Sequence, residues 1–174
     1  IEHCPKQAIG VNGQGQIEID RDSCDGCMTC VRNCTAMALQ TVAKEMTVEE
    51  VLAKVEQDRG FYDTTGGGMT ISGGEMLSQP EFVRELVDKA ATHGIHVCLD
   101  TSGFGDGDLL EELAAQEIVT TVLYDMKSID DAIHQKCTGQ SNQLILENLR
   151  RLAGHPRINP KLQMRMPLVH NLND

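Results

Sequence analysis

With 174 residues and a formal net charge of −11, from 26 acidic against 15 basic side chains, the chain has room for one domain, or one domain and a small module, and is ill suited to a nucleic-acid or anionic-membrane surface. Aromatic residues make up 3% with no Trp, which argues against a base-stacking platform, and no apolar run nears the ~20 residues of a membrane span. No signal-peptide pattern is visible, so a cytoplasmic location is expected. The chain opens at Ile1 and stops at Asn173-Asp174 just after a strand-like run, and both ends read as cut.

Five of the seven cysteines fall before residue 35. Cys24, Cys27 and Cys30 form C-x-x-C-x-x-C, and Cys34 follows after three more residues. Such a run lets three thiolates reach one iron–sulfur cube from a single loop, while the fourth cysteine serves another cluster. Cys4-Pro5 reads as the tail of an earlier run of the same kind. The expected ligand set is therefore Cys4, Cys24, Cys27 and Cys30 around one 4Fe–4S cluster, with Cys34 belonging to a second. A zinc knuckle and a disulfide knot are the rival readings, and both fit the even spacing less well. Thr35 stands where such runs have proline, which removes no ligand. Ile9 to Ile19 reads as a hairpin around Asn12-Gly13-Gln14-Gly15. Residues 1–43 are thus expected to be a ferredoxin-like iron–sulfur module, with a linker near Val42 to Met46.

From there the pattern alternates between helix and strand. Thr47-Val48-Glu49-Glu50 has the capping-box form and opens a helix expected to end near Gly60. Met69 to Ile71 is a short strand between glycine clusters. A helix from Pro80 to His93 with Gly94 as its stop comes next, then a strand over Ile95 to Leu99 in which Cys98 reads as a core residue. Leu109 to Gln116 is helical, Val119 to Tyr124 a strand, and Asp130 to Lys136 and Ser141 to Ala153 are helices. Leu162 to Val169 is a last strand. This rhythm predicts an α/β fold with a parallel sheet, and its outer edges should fall on Met69 to Ile71 and Leu162 to Val169.

Polar residues gather where these strands end. Gly73-Gly74-Glu75, Asp100-Thr101, Asp125 with Lys127, and Arg165 all lie at or near carboxyl ends, which share one face of a parallel sheet. Gly73 and Gly74 expose backbone groups, and Glu75 adds a charge suited to an ammonium group. No Gly-Lys-Ser/Thr follows, so a phosphate cradle is disfavoured. Taken singly, each residue has a plain structural reading; their coincidence on one face does not.

With Gly66 to Glu75, Leu99-Asp100-Thr101-Ser102-Gly103, Tyr124-Asp125-Met126-Lys127, the run from Thr138-Gly139 to Leu146-Glu147-Asn148-Leu149, and the cysteine module, the chain resembles the radical S-adenosylmethionine activating enzymes of glycyl radical enzymes. The resemblance implies a partial (β/α) barrel over residues 44–174 behind the ferredoxin-like 4Fe–4S module. It implies S-adenosylmethionine as cofactor, held at Gly73, Gly74, Glu75, Asp100, Thr101, Asp125, Met126, Lys127 and Arg165. A glycyl radical enzyme would be the partner and a reduced flavodoxin or ferredoxin the electron donor. Met76 and His170-Asn171 depart from the family's proline and Pro-Gly. The C-x-x-x-C-x-x-C run that binds the cleaving cluster in the family is not in this sequence, so the chain by itself is expected to be inactive. The alternatives are an electron-transfer module on an inert α/β scaffold, and a radical S-adenosylmethionine enzyme acting on a small molecule.

Overall fold

The structure, a computed structural model, describes residues 2–173. It divides into two compact units, Ile1–Met46 and Thr47–Asp174.

In the first unit, β1 (Ile9–Val11) and β2 (Ile17–Ile19) pair antiparallel with Ile9 opposite Ile19. Asn12 closes the turn by accepting from the backbone N–H groups of Gln14 (2.9 Å) and Gln16 (3.0 Å). A single-turn helix, α1 (Thr29–Arg32), carries Cys30. Among the described residues of this unit only Ala8 and Ile9 are buried apolar residues. A unit this short with so little core needs another source of stability, such as a bound metal group.

The second unit begins with α2 (Val48–Val55), whose capping box forms as the sequence predicts: Thr47 accepts from Glu50 N–H, and Glu50 accepts from Thr47 N–H. Replacing Thr47 by alanine leaves one amide unsatisfied and is expected to lower stability by about 1 kcal/mol, read as a reduced urea midpoint. The helical stretch does not end near Gly60. A 3₁₀ turn over Glu56–Asp58 leads into α3 (Arg59–Thr65), which stops at Gly66 in the left-handed conformation. Gly60 is simply tolerated inside α3.

Four parallel strands follow: β3 (Gly68–Ile71), β4 (His96–Thr101), β5 (Val119–Asp125) and β6 (Leu162–Arg165), in the order β3-β4-β5-β6. Between them run α4 (Pro80–Thr92), α5 (Gly107–Ala115), and the pair α6 (Asp131–Thr138) and α7 (Gln143–Gly154). In a doubly wound sheet the strand order reverses and helices cover both faces. Here the order is strictly sequential, as in an arc of a (β/α) barrel. The predicted last strand is shorter than expected, ending at Arg165 and not at Val169, because Pro167 cannot donate to a ladder.

Alternation along the strands sorts the two faces. Met69, Ile71, Val97, Leu99, Val122 and Tyr124 are buried with Val87 and Ala90 of α4, Leu110 and Leu113 of α5, and Leu152 of α7. Val119 and Val122 are both buried because the register with β4 shifts between Val97 and Cys98. Cys98 and Asp100 occupy the alternate positions of β4 and are only partly buried. Cys98 is therefore not a core residue. It lies on the opposite face, and burial pushes its thiol pKa up.

Candidate functional site

β3 hands over at Ile71 to Ser72-Gly73-Gly74-Glu75. Gly73 has φ 143°, which a side chain rarely permits, and nothing lies within 4 Å of where a Cβ would stand at Gly73 or Gly74. The backbone here is open on that side. Glu75 caps the 3₁₀ turn Met76–Ser78 by accepting from Leu77 N–H at 3.1 Å. Its carboxylate also accepts from Thr101 Oγ1 (2.6 Å), Ser102 N–H (2.9 Å) and Ser102 Oγ (2.5 Å). This revises the sequence reading of Glu75 as a charge offered to a ligand. The carboxylate braces the loop after β3 against the loop after β4, and the oxygens left for an ammonium group are those of the backbone.

Thr101 takes part in that brace. It is 2% exposed and turned to the helix-covered side, while its neighbour Asp100 points to the other face. Met126 is likewise fully buried, and only its backbone is shared with the site, through a hydrogen bond from its N–H to the Arg165 carbonyl at 2.8 Å. The sequence placed Thr101 with the site residues by position and Met126 by the family resemblance; their side chains belong to its support.

The charged residues do converge. Arg165 at the end of β6 reaches back across the sheet, donating from Nε to Asp125 Oδ1 at 2.8 Å and from Nη2 to Asp100 Oδ1 at 2.5 Å. Lys127 donates to the other oxygen of Asp125 at 3.0 Å, and Ser72 to Asp100 Oδ2 at 3.4 Å. Two carboxylates, one guanidinium and one ammonium thus stand together with no net charge but with both signs presented. Such a surface suits a zwitterion better than a simple anion or cation.

Burial opposes ionisation of Asp125, but hydrogen bonds and the charges of Lys127 and Arg165 outweigh it and hold the carboxyl below the usual range. A carboxyl depressed on folding contributes stability that is present above its unfolded pKa and is lost as pH falls through the folded value. Asp125→Asn is therefore expected to lower the thermal midpoint at pH 7. The gap to wild type should close as pH drops below about 4, in scans from pH 7 to pH 3.

In the first unit all the cysteines are free thiols. Cys4, Cys24, Cys27 and Cys30 line one cavity of about 480 Å³ together with Ile9, Ile19, Val31 and Leu39. Cys34 does not line it; it borders a second space of about 230 Å³, with Cys4 and Cys30. Ala8 N–H points at Cys4 Sγ and Leu39 N–H at Cys34 Sγ, each at 3.3 Å. Among the described residues no group of three Cys, His, Asp or Glu is gathered as closely as one metal ion needs. The thiols border a space and do not meet at a point.

An arc of sequential parallel strands with a glycine loop and a mixed-charge cluster at its carboxyl ends defines a class of cofactor-binding barrel. The model of the Radical SAM superfamily matches residues 23–174, and the chain belongs to that family. Among its relatives is the isethionate sulfite-lyase activating enzyme of Nitratidesulfovibrio vulgaris, 43% identical over all of this chain and 56% of the relative. The (2S)-3-sulfopropanediol dehydratase activating enzyme of Klebsiella oxytoca is 34% identical over 99% of this chain and 53% of the relative. The chain thus spans about half the length of the curated relatives it matches. Among solved structures, a domain of pyruvate-formate lyase-activating enzyme from Bacteroides vulgatus superposes with a TM-score of 0.53 at 32% identity, over 62% of this chain and 63% of that one.

Ser102 and Ser72 were not singled out in the sequence, although both lie inside motifs that were. A hydroxyl one residue past a strand-end Asp-Thr pair was the available signal for Ser102.

Proposed function

We infer that the full-length protein is an activating enzyme: it reductively cleaves S-adenosylmethionine and uses the 5′-deoxyadenosyl radical to remove a hydrogen from a glycine Cα of a partner glycyl radical enzyme. The observation that carries this reading is the convergence of the Gly73-Gly74 loop, Asp100, Asp125, Lys127 and Arg165 at the carboxyl ends of four sequential parallel strands. The Gly73 to Glu75 backbone would receive the amino group of S-adenosylmethionine. Asp100, Asp125, Lys127 and Arg165 would orient its charged end.

Cys4, Cys24, Cys27 and Cys30 would hold an auxiliary 4Fe–4S cluster, and Cys34 a ligand position of a second. The support is the cavity they line, the amides aimed at sulfur, and a unit whose apolar core is too small to hold it together. Such clusters pass single electrons, and a reduced flavodoxin or ferredoxin would supply them. Residues 1–43 would form the module and residues 44–174 part of the barrel. Among the described residues no helix is long and apolar enough to cross a membrane.

An isethionate sulfite-lyase is the first partner to test, since the activating enzyme of one matches the whole chain at 43% identity. The reduced full-length protein, mixed anaerobically with S-adenosylmethionine and that partner, should yield methionine, 5′-deoxyadenosine and a glycyl radical doublet in the EPR spectrum. Cleavage without a doublet on any glycyl radical partner would favour a small-molecule substrate. Absence of cleavage would remove the enzymatic reading.

A further inference from the structure

The run Leu146-Glu147-Asn148-Leu149 lies far in sequence from the polar cluster, yet α7 carries one buried amide that reaches the loop after β4 beside it. Asn148 is 4% exposed. Its Nδ2 donates to two backbone carbonyls of the loop after β4, Gly103 at 2.9 Å and Gly105 at 3.1 Å. The same loop is shaped around these contacts. Gly103 has φ 74°, and a Cβ there would stand 1.7 Å from the Tyr124 hydroxyl; a Cβ at Gly107 would stand 2.2 Å from Asn148 Oδ1. Tyr124 in turn donates to the Ile145 carbonyl at 2.7 Å, one turn before Asn148. Helix, strand and loop are thereby locked in register.

We propose that Asn148 is a positioning residue for the ligand site, acting through Ser102 and Glu75 on the Gly73-Gly74 loop. The connection is continuous. Asn148 fixes the carbonyls of Gly103 and Gly105; Gly103 N–H donates to Thr101 Oγ1 at 2.9 Å; Thr101 and Ser102 together supply three of the hydrogen bonds to the Glu75 carboxylate. Ser102 lies between Asn148's anchor point and the carboxylate, so a shift of the anchor misaligns its N–H and Oγ with Glu75 Oε2. Glu75 is the residue that ends the glycine loop. An amide suits this task because one NH₂ group can satisfy two carbonyls at once, which a hydroxyl or an apolar side chain cannot. Asn148 touches no ligand-facing group itself.

The proposal rests on the S-adenosylmethionine reading, and the experiment separates the two. Anaerobic equilibrium binding of S-adenosylmethionine is measured for the reconstituted full-length protein and for Asn148→Leu, Ser102→Ala and the double variant, with a thermal melt of each. Asn148→Leu keeps the volume but leaves both carbonyls unpaired, and is expected to raise the Kd about tenfold. In the Ser102→Ala background the same change should raise it less, about threefold, because one of the three hydrogen bonds through which the anchor acts on Glu75 is already gone. Asn148→Ser, which can satisfy one carbonyl, should fall between wild type and Asn148→Leu and covers the case in which the leucine variant does not fold. Wild-type binding with an unchanged Kd in both Asn148 variants would overturn the proposal. So would two losses that simply add, since a purely structural asparagine would weaken binding regardless of Ser102. Failure of the wild type to bind S-adenosylmethionine would instead overturn the reading on which it rests.

Discussion

Glu75→Ala in the full-length protein is expected to weaken S-adenosylmethionine binding by about 2–4 kcal/mol, more than removal of either aspartate in the cluster. The carboxylate accepts from Leu77, Thr101 and, twice, from Ser102 in a partly buried position. Alanine leaves the two hydroxyls and both amides without their acceptor. It also frees Gly73 and Gly74, whose lack of side chains means that nothing else defines their conformation. The ligand's ammonium would then meet a loop that must be ordered before it can bind, and that entropy appears as lost affinity. Asp125→Ala removes one carboxylate from a cluster in which Asp100 still holds Arg165, so a smaller loss of about 1–3 kcal/mol is expected. Anaerobic equilibrium dialysis of the two variants beside wild type makes the comparison. Equal affinity in all three would place the ligand elsewhere.

The sequence was most informative where a local rule leaves a fixed residue pattern. Thr47 and Glu50 announce their helix start, Pro80 and Gly94 bracket α4, and the Asn12 turn marks the hairpin. Parallel strand ends could be aligned on one face because the strand–helix rhythm permits little else. What the sequence did not disclose depends on which side of the sheet each residue takes. Asp100 and Thr101 are neighbours in sequence and point to opposite faces, so one meets Arg165 and the other Glu75. Cys98 reads as core by its apolar neighbours, yet the period of two puts it with Asp100. The brace between Glu75 and Ser102, and Asn148's hold on the same loop, join positions more than 20 residues apart through hydrogen bonds that leave no trace in spacing. Gly60 does not stop the helical stretch but sits inside α3, because a single glycine inside a helix costs only about 1 kcal/mol, which packing readily offsets.

In the first unit the largest effect is expected from Cys27→Ala. Cys27 lines the cavity with Cys4, Cys24 and Cys30, and it is the proposed ligand at the centre of the C-x-x-C-x-x-C loop. Loss of one thiolate should empty the site of its cluster, with iron and sulfide in the reconstituted full-length protein each falling by roughly four per chain. The structural consequence should reach further than the loop. With only Ala8 and Ile9 buried among the described residues of Ile1–Met46, little else holds this unit together once the cluster is gone, so folding and cluster binding are one event. Limited proteolysis should cut within residues 1–46 of the variant while leaving Thr47–Asp174 intact, since that unit has its own core. Cys137→Ala, outside the unit and exposed, should change neither readout. Stoichiometric zinc in the wild type with no iron–sulfur absorbance would sink the assignment. A Cys27→Ala protein that loses its iron yet stays resistant to protease would show instead that the cluster sits on a unit able to fold without it.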